Sequence, residues 1–215
     1  MAERIIATGN TAAFVKLAQG IPRDFRLSQH GSLFTQNFEP EFMELARTNQ
    51  LYACNNGSAV GLANVAAIPT TTASYGLYNN HATKSLVVIK VAATATTVTS
   101  PLDFALIVGL PQTPQAAAET KYANSLAGPL GASGDTTPGG YLTDAVTLAA
   151  TPIWQTVAHY GGNNGLLGAA AVAWLKGMYV VPPKYCLGID IVGSAGTTPL
   201  YDVDCVWAEM ALDLG

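Results

Sequence analysis

Charged side chains are scarce in this sequence. Asp, Glu, Lys and Arg make up 11% of its 215 residues, against roughly 25% in an ordinary soluble domain. None occurs from Leu51 to Thr83, and none from Ala145 to Leu175. A monomer of this size relies on surface charge to stay solvated and unassociated. A chain that does without it is expected to cover much of its surface with copies of itself or with other proteins, as a structural subunit of an assembly does.

Other absences narrow the field. No run approaches the roughly 18 consecutive apolar residues of a membrane-spanning helix, so no membrane partner is expected. The opening residues Met1–Ala7 lack an apolar core and a small-residue cleavage site, so no signal peptide and synthesis in a cytoplasm are expected. Three cysteines, Cys54, Cys186 and Cys205, stand far apart with no C-x-x-C. That pattern predicts buried, reduced thiols acting as small hydrophobes. Net charge is −4, from 10 basic and 14 acidic residues, and the first 50 residues hold five of each. The whole deficit therefore lies in 51–215, and no basic patch is present that would neutralise a phosphate backbone. Direct nucleic-acid binding is not expected.

The groups that catalysis or metal binding would need are equally thin. His30, His81 and His159 are isolated, with no H-x-H, H-E-x-x-H or His/Cys cluster. The His and Glu set of a cupin site is missing. His159 reads as a core or interface side chain of a strand. Two carboxylate pairs merit inspection for acid/base work or a weak cation site: Asp202 with Asp204 on one strand face, and Asp135 with Asp144 around a loop. The first pair reads more simply as a solvated strand edge or interface rim. No G-x-S-x-G, P-loop or G-x-G-x-x-G occurs. Asn56-Gly57-Ser58 matches a glycosylation sequon but reads as a turn. No catalytic residue, cofactor or metal is assigned, and no enzyme activity is expected. Trp154, Trp174 and Trp207 read as core aromatics rather than a sugar-stacking platform.

What is present is the rhythm of an all-β fold. From Leu51 onward, short apolar runs alternate with turn residues. Strands are predicted at Leu51–Cys54, Val60–Ala67, Thr71–Tyr78, Ser85–Ala93, Asp103–Leu110, Ala145–Ala149, Ile153–Tyr160, Ala170–Leu175, Met178–Val181, Tyr185–Val192 and Tyr201–Leu212. Asn55-Asn56-Gly57, Asn79-Asn80-His81, Gly161–Gly165 and Gly193–Gly196 supply turn chemistry, and Pro182-Pro183 forces a sharp connection. Pro111–Gly140, with four prolines and five glycines, reads as one long surface loop of the kind that often carries interactions. Several strands are apolar on both faces. Val203, Cys205 and Trp207 oppose Val206, Ala208, Met210 and Leu212, while Leu86 and Val88 oppose Val87, Ile89 and Val91. Both faces therefore need cover, from a neighbouring subunit or from this chain's own arm or loop.

Residues 1–50 differ from the remainder and read as an N-terminal arm, leaving 51–215 as a β-sandwich. Arg23, Asp24, Arg26, Gln29 and His30 form a polar cluster, and Phe14, Phe25, Phe34 and Phe38 are candidate apolar anchors for a partner. Glu39–Arg47 predicts a short helix, with Pro40 at its first position and Phe42, Leu45 and Ala46 on one side.

Two segments carry a family resemblance. The first is Tyr75–Ile89, a strand, a polar turn and an apolar strand. The second is Leu175–Ile189, followed by the closing strand Val203–Met210 with Trp207 and Glu209. Together they resemble the jelly-roll structural proteins of tailed bacteriophages, including capsid decoration proteins and tail-associated trimers, which in turn resemble tumour-necrosis-factor and C1q heads. The resemblance spans about Leu51 to Leu212, departs from the expected Pro-Gly at Pro183-Lys184, and transfers no catalytic signature. It implies an all-β jelly-roll sandwich in a virion structural protein made in the host cytoplasm. Its implied partners are itself, as a homotrimer, and a major capsid or other virion protein. The alternative is a receptor- or carbohydrate-binding head of a phage fibre. The loop Pro111–Gly140 offers only Tyr122, with Tyr141 at its border, for sugar recognition.

Overall fold

Short apolar runs separated by turn residues have only one way to satisfy their backbone groups, which is to pair with one another. In a computed structural model the described residues are Phe42, Leu45, Ala46, 50–56, 61–97, 102–115, 128–129, 138–162, 168–193 and 199–212. Among them run β1 (Leu51–Asn55), β2 (Leu62–Ala63), β3 (Thr72–Asn79), β4 (Ser85–Ala95), β5 (Leu102–Gly109), β6 (Gly128–Pro129), β7 (Gly140–Thr147), β8 (Gln155–Gly162), β9 (Ala170–Val181), β10 (Cys186–Gly193) and β11 (Leu200–Met210). One sheet has the order β6-β1-β11-β4-β9, with β2 also on β11, and the other has the order β7-β3-β10-β5-β8. Every pairing between these strands is antiparallel.

Without β2, β6 and β7, the first sheet reads β1-β11-β4-β9 and the second β3-β10-β5-β8. The chain changes sheet at almost every step, and its first and last strands lie side by side. This is the strand order of a jelly roll, as the family resemblance implied. The core between the sheets is aromatic at its centre, with Trp207, Tyr75, Tyr201 and Phe104 almost fully buried. Phe104 packs between Tyr201, at 4.6 Å between ring centres, and Tyr160, at 5.5 Å. The Tyr75 hydroxyl donates to the Tyr201 carbonyl and accepts from the Leu62 amide, tying β3 to β2 and β11 across the core. All three cysteines are buried free thiols. Cys54 and Cys205 face each other in the β1–β11 ladder. A hydrogen bond with Cys54, then burial, pushes the Cys205 thiol well above its ordinary range.

Several predicted boundaries change. Ala170–Leu175 and Met178–Val181 are one strand, because Lys176 and Gly177 (φ 47° and 85°) form a bulge rather than a turn. Among the described residues of Val60–Ala67, which begin at Gly61, only Leu62–Ala63 is a strand, plus a single bridge from Val65 to Val192. The strand placed at Ala145–Ala149 runs instead from Gly140 to Thr147. A bulge at Ile89 shifts the register of β4, so Val91 faces the core with Val88 instead of facing outward. The Pro182–Tyr185 turn closes with the Tyr185 amide donating to the Pro182 carbonyl at 3.1 Å, and Lys184 takes the left-handed conformation (φ 69°) where glycine was expected.

Pro111–Gly140 is not simply a surface loop. Between the neighbouring strands β5 and β8 the chain adds β6 to the edge of the first sheet and β7 to the edge of the second. Gln115 is buried, its side chain accepting from the Ala149 amide (2.9 Å) and donating to the Thr147 carbonyl (2.8 Å). The return leg then crosses the outer face of the second sheet, where Leu148 and Trp154 join Ala73, Tyr78, Val146 and Cys186 in a second small core. Glycines make room for it: a Cβ on Gly188 would lie 2.7 Å from both Leu148 and Trp154. On the first sheet, Phe42, Leu45 and Ala46 pack over Leu51, Ile89 and Ala208. Phe42–Gly215 forms one compact unit. Of the predicted helix, the described part is a single turn with the Ala46 amide donating to the Phe42 carbonyl at 3.0 Å. Of the outward apolar residues of β4 and β11, Ile89 and Ala208 are thus covered by this chain itself, while Val87, Val206 and Met210 are half-buried. Residues 1–41 lie outside the described residues, and with them His30, the polar cluster and the four phenylalanine anchors.

Candidate interaction surface

The carboxylates singled out by sequence separate in the structure. Asp202 and Asp204 do share the outer face of β11, but Lys90 of β4 binds Asp204 at 2.6 Å. The Asp202 Oδ1 is buried without a hydrogen-bond partner. With Asp204 neutralised by Lys90 and no third carboxylate beside the pair among the described residues, these residues do not form the oxygen cage that a cation prefers. Asp135 lies outside the described residues, and Asp144 stands opposite Tyr75 in the β3–β7 ladder. Among the described residues no three His, Cys, Asp or Glu side chains converge as a metal site would require. No helix among them is long and apolar enough to cross a membrane.

His159 is not a core residue. It is 59% exposed on the edge strand β8 and pairs with Asp103 at 2.7 Å. His81 does meet a carboxylate in the interior, since its Nε2 lies 2.6 Å from Glu209, which is 2% exposed. Glu209 also accepts from the Gly139 amide (2.8 Å), the Gly140 amide (3.1 Å) and the Trp207 indole (3.2 Å). A buried charge is tolerated only when its lone pairs are filled this way. The arrangement fastens the start of β7 to β11. Asp190 of β10 plays a similar part on the second sheet, accepting from the amide and hydroxyl of Ser74 and from the Ile191 amide. Burial raises its carboxyl above the ordinary carboxylate range despite these bonds. Both carboxylates hold strands together.

The tryptophans divide three ways. Trp207 fills the core, Trp154 is half-buried in the second small core with its indole donating to the Thr70 carbonyl, and Trp174 is 59% exposed. The core role read from sequence therefore fails for Trp174. With it on the outside of β9 are Val172 (45%) and Met178 (75%), and Ile153 (83%) stands just before β8. These two edge strands close the same side of the sandwich. Between Met178, Ile153 and Leu110 lies an open groove of about 440 Å³, also lined by Pro152, Gln155 and Tyr179. Lys90 faces Trp174 directly across the β4–β9 ladder. Exposed large apolar side chains grouped along one edge are the least satisfied feature of the described surface. Ala170–Leu175 is apolar throughout, so the existence of the strand was visible in sequence but not its alternation. Which of its faces stayed uncovered was not legible either, because that depended on where the insertion and the helical turn came to rest.

No family model matches the chain, and no curated protein matches it. Among solved structures, a cryo-electron-microscopy structure of Mud Crab Dicistrovirus matches with 9% identity over 98% of this chain and 90% of that one, at a TM-score of 0.14. A superposition so loose carries no argument, and the jelly-roll class rests on the strand order alone.

Proposed function

We propose that this is a non-enzymatic virion structural protein, a capsid-decorating or tail-associated jelly-roll subunit that stabilises a particle through contacts with copies of itself and with other virion proteins. The observation that carries the reading is the apolar edge Val172, Trp174, Met178 and Ile153 on a chain with so little charge to keep it solvated. Each 1,000 Å² of apolar surface covered contributes about 25 kcal/mol before association costs, so modest contacts repeated over a lattice suffice to hold a shell. The homotrimer and the phage source follow the family resemblance of Tyr75–Ile89 and Leu175–Ile189. Quantitative mass spectrometry of purified particles tests the reading. The chain should be present at a copy number in simple ratio to the major shell subunit. Its absence from particles made in cells that express it would overturn the assignment.

A second reading, a receptor- or carbohydrate-binding head, is favoured by one observation. The Trp174 ring is exposed beside the Lys90–Asp204 pair, a stacking surface with polar groups at its border. Titration of the purified chain with oligosaccharides, followed by indole fluorescence, separates the two. Saturable quenching that Trp174→Ala abolishes would select the head.

A further inference from the structure

The first sheet ends at β9, and among the described residues no strand pairs with its outer edge. Natural edges are guarded by Lys, Pro or bulges against pairing with another chain. From Ala170 to Leu175 this edge has none of them, and the bulge at Lys176–Gly177 comes only afterwards. Its phase is fixed by the ladder. The Ala95 amide donates to the Ala169 carbonyl at 2.8 Å, and Ala93 and Val91 face Ala171 and Ala173. By the alternation of an antiparallel ladder, Ala171 and Ala173 turn their N–H and C=O toward β4. Ala170, Val172 and Trp174 turn theirs outward.

Those three residues are self-complementary. In an antiparallel pair centred on Val172, each copy's Val172 meets its own counterpart and Ala170 meets Trp174. Every such pair has both backbone groups in place, giving about six interchain hydrogen bonds. On the outer face the small Ala170 receives the large Trp174 ring, and the two valines touch at the dyad. Such cross-strand pairs stabilise a sheet. The nearest charge on the strand, Lys176, lies beyond the paired stretch and meets no like charge.

We infer that β9 is the site of a two-fold contact with a second copy of this chain, joining two five-strand paths into one continuous sheet across Val172. This rests on the self-association proposed above and adds its geometry. A two-fold contact used by every copy makes even-numbered assemblies, so a trimer that employs it becomes a hexamer.

Two measurements test it together: solution mass by light scattering at tens of micromolar, and amide hydrogen exchange along β9. The wild-type chain should give an even multiple of the monomer mass, with Ala170, Val172 and Trp174 amides protected along with Ala171 and Ala173. Val172→Lys, which places two cations side by side at the dyad, should halve the mass and release only the three outward amides. An oligomer whose mass ignores this substitution and whose outward amides exchange freely overturns the β9 contact and leaves self-association standing. A monomeric wild type overturns both. Should Val172→Lys fail to fold, the exchange pattern of the wild type decides alone.

Discussion

Asp190 is held out of water by the sheet it stabilises, and its titration follows from that position. Burial raises its carboxyl above the ordinary value of 3.8, against the pull of three hydrogen bonds. The folded state therefore keeps a proton that the unfolded state releases. Between 3.8 and the raised value, the stability linked to this group is greatest on the acid side and falls as pH rises. Asp190→Asn removes the titration while keeping the shape. Urea unfolding of both chains across a pH series should show the wild type gaining on the variant as pH falls through that window. A difference independent of pH would show that Asp190 titrates alike in both states. Neither Asp190 nor Glu209 was legible in sequence as a buried, satisfied carboxylate. Strand alternation gives the face of a residue but not its partner, and Ser74 lies 116 positions from Asp190 in the chain. The same limit explains Asp204, whose neutralising Lys90 is visible only once β4 and β11 are in register.

At the scale of the element, the strand and turn rhythm carried most of the fold, because turn residues and apolar runs act locally. Misreadings came where one local signal serves two geometries. Lys176-Gly177 looks like a turn and is a bulge inside β9. Gly139-Gly140 looks like the end of a loop and is the entry to β7. The entry to β7 is set by distant contacts: Glu209 accepts both glycine amides, and His81 closes the cluster from the β3–β4 turn. Glu209→Ala takes the acceptor from four buried or half-buried partners, the Gly139 and Gly140 amides, the Trp207 indole and the His81 ring. It is expected to cost about 3 kcal/mol or more in denaturant unfolding. The first amides to lose exchange protection should be those of β7. A loss spread evenly over both sheets, or a cost below about 1 kcal/mol, would mean that β7 is held chiefly by its ladder with β3. Gly188 tests the outer cover in the same way. Gly188→Ala drives a Cβ to within 2.7 Å of Leu148 and Trp154, so the crossing segment must lift. The cost should be about 1–3 kcal/mol, as for an overpacked core, with an indole fluorescence shift from Trp154.

For the whole molecule, scarcity of charge suggested cover by copies or other proteins, and strands apolar on both faces called for cover from a neighbour or from the chain itself. Ile89 and Ala208 are covered, while Val87, Val206 and Met210 are half-buried. Much of the cover is the chain's own. Leu148–Trp154 lies over the second sheet, while Phe42, Leu45 and Ala46 lie over Leu51, Ile89 and Ala208 of the first. What this leaves for another molecule is narrower than composition suggested, and apart from Ile68 its large apolar side chains lie along β9 and at Ile153. The helical turn also bears on where the sandwich begins, which sequence placed at Leu51 and which the compact unit Phe42–Gly215 brings to a test. Two truncations separate the possibilities. A chain starting at Phe42 keeps the three side chains that shield the outer face of β1, β4 and β11. It should melt cooperatively with β-rich circular dichroism. A chain starting at Leu51 exposes Ile89 and Ala208, now 2% and 0% accessible, together with Leu51 itself. Uncovering side chains of this kind costs about 1.5–3 kcal/mol for each large one, so this chain should melt markedly lower or aggregate. Equal melting of the two would show that residues 42–50 belong with the arm and that the sandwich stands without them. Failure of both would place part of the core's support before Phe42.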